Sequence, residues 1–249
     1  MSDADRVTDS WHSPRLDREV QVVRWGHAGT PVIFFPTAAG DAEEVERFLM
    51  LDALAPLVDA GRIRFYSVDS VPGQVWLTED NTMPNAIRVQ HAFDAFIVEE
   101  LVPAIRTDCG DGAVEIIVTG ASIGAYNALA SICRHPDLFS HAICLSGTFE
   151  LSKFLQGEMD ESWHRASPLH FIPDLDDDDP GLGQLRQRFV LLAHGTGRWE
   201  SPEESWSVAA CLGGRGIPNR VDEWGEEWDH DWPVWRKMLP QFLDEILQS

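Results

Sequence analysis

The sequence predicts an α/β fold: a three-layer sandwich around a mostly parallel central sheet. Three observations lead there. Short apolar runs of strand length recur along the chain, and segments with helical periodicity separate them. Several of the runs are apolar at consecutive positions, as strands covered by helices on both faces must be. Parallel strands also need a crossover to return the chain, and a helix supplies it.

Residues 1–17 are polar and acidic and read as a segment preceding a single domain over 18–249. Arg18–Trp25 (REVQVVRW) alternates enough for an edge strand, and Pro31–Pro36 (PVIFFP) is wholly apolar, as a doubly buried strand would be. Asp41–Val58 carries an apolar stripe (Val45, Phe48, Leu49, Leu51, Leu54, Leu57, Val58) behind an acidic first turn, a helix favoured by its dipole. Arg62–Val68 is a strand, and Asn85–Ile105 reads as one long amphipathic helix. Three more strand–helix pairs are expected. Val114–Thr119 precedes Ile123–Cys133, His141–Leu145 follows, and Phe189–Ala193 precedes Ser201–Leu212. Asn219–Trp224 is the last strand and Pro233–Leu247 the last helix. The stretch 146–188 breaks the rhythm and reads as a lid-like insertion, because long excursions above strand ends usually wall a binding site.

Charge excludes some partners. Against 19 Lys+Arg stand 41 Asp+Glu, a net charge of −22. That field repels nucleic acid and anionic membrane surfaces alike. No segment has the run of apolar residues a membrane helix needs, and the N-terminal residues lack a signal-peptide core. The four cysteines form no CxxC pair, so buried thiols and a cytoplasmic location are expected. The run Asp176–Asp179 lacks the spacing of a calcium loop and reads as solvated, so no metal and no cofactor are expected. Apolar residues in the last helix are compatible with a homo-oligomer.

The sharpest chemical signal is Gly120-Ala121-Ser122-Ile123-Gly124, set between an apolar strand and a helix. A serine hydroxyl is a weak nucleophile and needs both exposure and a neighbouring base. A tight strand-to-helix turn gives the exposure, and flanking glycines allow the close backbone approach it demands. The Ile123 N–H, at the helix start, would face a developing oxyanion. His230, after the last strand, stands where the base of such a serine belongs in chain order; His194 is its competitor. Glu200 is the first carboxylate after Phe189–Ala193 and the candidate to orient the imidazole, with Glu203, Glu204 and Asp222 as alternatives. The second oxyanion donor is expected from the turn after the first buried strand, from the N–H of Thr37 or failing that Ala38, since Pro36 has none. Trp199 and Trp76, with Asn81, could reach a small-molecule or acyl-ester substrate; Trp228, Trp232 and Trp235 either wall the same pocket or pack in the core.

Together FFPTAAG, GASIGAYNAL, RHPDLFSHAICLSGTFEL, HGTGRWE and WDHDWPVW resemble the α/β-hydrolase superfamily. Within it, they resemble the esterase family that includes S-formylglutathione hydrolases and mycolyltransferases. The resemblance covers about Arg18 to Leu247 and implies an α/β-hydrolase fold with nucleophile, acid and base at Ser122, Glu200 and His230. Two departures stand out: Pro36-Thr37 replaces a glycine-containing oxyanion turn, and the acid is Glu rather than Asp. The expected activity is hydrolysis of carboxylic esters through an acyl-enzyme. Acyl transfer by the same triad, and a non-catalytic binding protein that kept the hydrolase shell, are the alternatives.

Overall fold

The structure, a computed structural model, describes residues 6–38, 40–76, 82–154 and 161–248, without the side chains of Trp76 and Phe154. Eight strands form one sheet: β1 (Arg6–Ser13), β2 (Arg18–Trp25), β3 (Thr30–Phe35), β4 (Ile63–Val68), β5 (Ile116–Ala121), β6 (Phe139–Leu145), β7 (Phe189–His194) and β8 (Asn219–Glu223). Their order is β1-β2-β4-β3-β5-β6-β7-β8; β1 and β2 pair antiparallel, and β3 to β8 run parallel. This is the three-layer, mostly parallel α/β sandwich that the alternation of strands and helices predicts.

The chain steps from β3 outward to β4 and then returns to the other side of β3 to form β5. Crevices in open α/β sheets form at such a reversal, beyond the carboxyl ends of the strands. Here those ends carry the Thr37 turn and Ser122.

Helices cover both faces. On one lie α1 (Glu44–Arg47), α2 (Met50–Asp59) and α11 (Trp232–Ile246), which bury Leu54, Met238 and Phe242 against Val32, Phe34 and Ile117 of the sheet. On the other lie α4 (Met83–Phe96), α5 (Val102–Cys109), α6 (Ile123–Arg134) and α10 (Pro202–Gly214), while the short α3 (Val71–Trp76) caps the end of β4. A π-helical turn at Ile97–Leu101 joins α4 to α5, so the expected long helix is continuous but changes pitch. The stretch 146–188 contains α7 (Glu161–Ala166), α8 (Pro168–Asp174) and α9 (Pro180–Leu185). Trp163, Ile172, Leu182 and Leu185 are buried from it, the Trp163 ring stacks on Tyr126 of α6, and the Tyr126 hydroxyl donates to the Ala166 carbonyl. These helices therefore extend the α6 layer.

Two expectations need correction. Arg18–Trp25 is not the edge: β1 pairs along its whole length, Arg6 opposite Trp25 through Ser13 opposite Arg18. A true edge strand can be polar on both faces, and RVTDSWHS is, apart from Val7 and Trp11, of which Trp11 packs on Phe96. The Asp41–Val58 stripe is split by Phe48-Leu49, where Leu49 adopts φ +59° and starts α2 anew. No helix among the described residues is long and apolar enough to cross a membrane. In the acidic run, Asp177 meets Arg186 and Arg215, and Asp179 caps α9 through the Leu182 N–H.

Candidate active site

Ser122 follows the last residue of β5 at φ 57°, ψ −122°, a left-handed backbone rarely adopted by a residue with a side chain. The glycines on each side explain how the turn closes. A Cβ on Gly120 would collide with the backbone of Gly124, and one on Gly124 with the carbonyl oxygen of Phe35. The start of α6 is thereby pressed against the end of β3. The turn is anchored by Ser122 N–H to the Leu145 carbonyl (3.0 Å) and by Thr148 N–H to the Ser122 carbonyl (3.2 Å).

Glu200 is the carboxylate that faces His230. Its Oε2 stands 3.7 Å from His230 Nδ1, and its side chain is 1% exposed against 21% for the imidazole. The other oxygen, Oε1, accepts from the Ser146 hydroxyl (2.6 Å) and the Gly195 N–H (3.2 Å), and Ser146 accepts in turn from Trp235 Nε1 (2.9 Å). One oxygen is thus held by the protein while the other remains for the imidazole. Trp235 also sets its ring edge-on to His230 at 5.2 Å. Sequence reasoning missed Ser146 and named Trp235 only as a pocket-wall or core residue, because neither hydrogen-bonding role leaves a motif.

The competing acids point elsewhere. Glu204 accepts from the Phe149 and Glu150 amides (both 2.8 Å) and from the Lys153 ammonium. Burial opposes ionisation of Glu204, yet Lys153 and the two amides hold its carboxyl below the usual range. Glu203 is exposed and Asp222 pairs with Arg220. His194, the competing histidine, is buried under the acid loop with Nδ1 on the Gly195 carbonyl at 2.8 Å.

The acid and histidine loops are bound to each other by their backbones. A Cβ on Gly195 or Gly197 would strike Trp228 or Asp229 atoms, Gly197 N–H donates to the Trp228 carbonyl, and His230 N–H donates to the Arg198 carbonyl (both 3.0 Å). Asp229, adjacent to the histidine, accepts three hydrogen bonds from Arg198 and so joins the loops. Asp231 caps α11. Among the described residues no hydrogen bond joins the Ser122 hydroxyl to His230. The two share the same end of the sheet through Ser146, whose N–H bonds the Ala193 carbonyl at the end of β7.

The oxyanion side departs from expectation. The Thr37 N–H donates to Glu44 Oε2 (2.9 Å) and the Thr37 hydroxyl to Oε1 (2.5 Å). Burial raises the Glu44 carboxyl above the usual range despite those two bonds. Among the described residues the N–H groups of Ile123 and Ala38 have no acceptor.

Of the tryptophans, Trp232 and Trp235 are core residues, whereas Trp199 is 76% exposed at φ +64°, beside Glu200. The Arg198 guanidinium lies over its ring at 5.2 Å. The side chain of Trp76, and Asn81, lie outside the described residues. Ser122, Ser146 and Trp199 are three of the five described non-glycine residues with positive φ; such strain concentrates where a fold holds functional groups.

Comparison with known proteins agrees with this fold. A ferulic acid esterase aligns over 98% of this chain and 97% of its own, with TM-score 0.74 and 17% identity. An S-formylglutathione hydrolase from Agrobacterium tumefaciens aligns over 98% and 93%, with TM-score 0.68 and 15% identity. The fluorophosphonate-binding serine hydrolase F of Staphylococcus aureus aligns over 98% of both chains, with TM-score 0.68 and 12% identity. These likenesses establish the α/β-hydrolase fold. No curated protein sequence matches. The family model described as "Putative esterase" matches residues 61–246, three quarters of the chain. The chain therefore belongs to this esterase family, a group of carboxylic ester hydrolases.

Proposed function

We propose that the protein hydrolyses carboxylic esters by a two-step acyl-enzyme route with Ser122 as nucleophile, His230 as base and Glu200 as its orienting acid. The observation that carries this reading is the buried Glu200 carboxylate directed at His230 Nδ1. A carboxylate there fixes the tautomer with its proton on Nδ1, leaving Nε2 to take the proton of the serine hydroxyl, and it stabilises the imidazolium that results. The positive φ at Ser122 sets its hydroxyl at the tight turn between strand and helix, and its one side-chain torsion selects the direction in which it points.

Attack on the ester carbonyl forms the Ser122–carbon bond and places negative charge on the carbonyl oxygen. The N–H groups of Ile123 and Ala38 receive that charge. Collapse expels the alcohol, which takes the proton from His230. Water then repeats the sequence with His230 as base, releasing the acid and restoring Ser122. Trp199 offers an exposed planar surface beside the triad, suited to the apolar part of an ester.

Ser122→Ala removes the nucleophile and leaves the turn. Burst release of p-nitrophenol from a p-nitrophenyl ester should disappear, and steady-state turnover should fall by about 10³-fold or more. Unchanged turnover in that variant contradicts the proposal.

A further inference from the structure

We propose that Glu44 is a positioning residue for the oxyanion hole: its buried carboxylate takes up both the N–H and the hydroxyl of Thr37, so the turn presents Ala38 N–H to the reacting carbonyl. The inference rests on the reading of Ser122 as nucleophile and adds to it a residue that no sequence motif marks.

Glu44 is only 4% exposed, although most of the chain's many acids lie at the surface. Burying a carboxylate costs free energy unless hydrogen bonds offset it, and here both oxygens are used on one residue of the turn. The turn is shaped to admit it. A Cβ on Gly40 would overlap the Glu44 carboxylate, so the glycine provides its space. Gly40 N–H closes the turn on the Thr37 carbonyl at 3.0 Å.

The short helix that carries Glu44 is itself pinned. Glu46 accepts from Trp25 Nε1 (2.8 Å) and Arg6 Nε (2.6 Å), Glu43 from Arg6 (2.5 Å), and Arg47 pairs with Asp41 (2.9 Å). Sheet edge, helix, carboxylate and turn form one connected support.

On the opposite side the turn is bounded by the elbow. Gly124 abuts the carbonyls of Phe35 and Pro36, which sets the start of the turn beside Ile123. Pro36 has no N–H and that of Thr37 is occupied, so Ala38 carries the first available donor. A backbone amide held in place before the charge develops is the form of stabilisation that oxyanion holes use.

Glu44→Ala frees Thr37 and lets the turn relax. It should lower kcat by about 30-fold or more with KM changed by less than about threefold, because the lost interaction belongs to the transition state. Affinity for a trifluoromethyl ketone, which forms a tetrahedral adduct with the serine, should fall in parallel. Glu44→Gln keeps the shape and an acceptor for Thr37 and should restore kcat to within about threefold of the parent. Unaltered kcat and ketone affinity in Glu44→Ala overturn the inference, as does a Glu44→Gln variant as impaired as Glu44→Ala. If Glu44→Ala does not fold, Thr37→Val removes only the hydroxyl arm. It should lower kcat by about three- to tenfold at constant KM, and no change in kcat there overturns the inference equally. Labelling by a fluorophosphonate separates the two readings: parent protein that is not labelled at Ser122 defeats the triad, whereas labelled protein indifferent to Glu44 defeats only this inference.

Discussion

Glu200 and Glu204 lie four residues apart, Glu200 before the start of α10 and Glu204 in its first turn, and both are held by several hydrogen bonds, yet they face different partners. Glu200 spends one oxygen on Ser146 and Gly195 and turns the other to His230. Glu204 spends both on the segment that follows β6 and on Lys153. Glu200→Gln should therefore lower kcat by about 10³- to 10⁴-fold while leaving the folded state in place, since an amide there no longer favours the right imidazole tautomer. Glu204→Ala should do the reverse. It strands two amides and should cost about 2–3 kcal/mol in urea unfolding, with kcat changed by less than about tenfold. An exchange of these two phenotypes would reassign the acid. Sequence distinguished the pair only by position along the acid loop; the direction of each side chain comes from partners, Ser146 and Phe149, more than fifty residues away.

At the scale of elements, the strands and helices around the site were legible because doubly buried strands advertise themselves as unbroken apolar runs. The strand expected at Val114–Thr119 forms at Ile116–Ala121, a shift of two residues, since Ala121 and Gly120 continue the pairing with β6 that their small side chains conceal in a hydropathy reading. β1 was illegible for the opposite reason: its polar faces carry no burial signal, and only its partner defines it. The break at Phe48-Leu49 is likewise a tertiary effect. Phe48 stacks on Trp232 at 4.8 Å, and its carbonyl accepts from Arg236, both on α11. The elbow was the most legible element, because its two glycines are required by contact rather than by propensity. Gly124→Ala would drive a Cβ into the Phe35 and Pro36 carbonyls. It should destabilise the protein by about 1–3 kcal/mol by overpacking, and it should lower kcat by spreading Ile123 and the oxyanion turn apart. A variant equal to the parent in both thermal midpoint and kcat would show that the two backbones are not held at this distance.

For the whole molecule, the 41 Asp and Glu carboxylates make acid the natural stress, because those held ionised by native partners must be protonated. Glu204 is held below the usual glutamate value of 4.5, so its contribution is complete above that pH and is lost as pH falls through its lower folded value. Asp94 behaves alike. Burial opposes its ionisation, but the His135 hydrogen bond and the Arg134 charge hold it below 3.8. Glu44 works in the other direction: burial raises its folded value, so protonation on acidification relieves a cost. Unfolding free energy followed by urea titration should decline from about pH 5 toward about pH 3, and Glu204→Gln should flatten the upper part of that decline. An identical pH profile in the variant would remove Glu204 from the account.

The family and the sheet were thus readable from the chain alone, and chain order named the residues of the proposed triad. The occupied Thr37 amide was not, because the burial of Glu44 depends on the space above Gly40 and on a helix pinned to β1 and β2. The most direct measurement is an acid-quenched reaction with p-nitrophenyl acetate, followed by intact-mass analysis and peptide mapping. The account predicts one acetyl group per chain, located on Ser122 and absent from Ser122→Ala. Acetylation at another residue, or turnover without a covalent adduct under conditions that trap one in a known serine esterase, would contradict it.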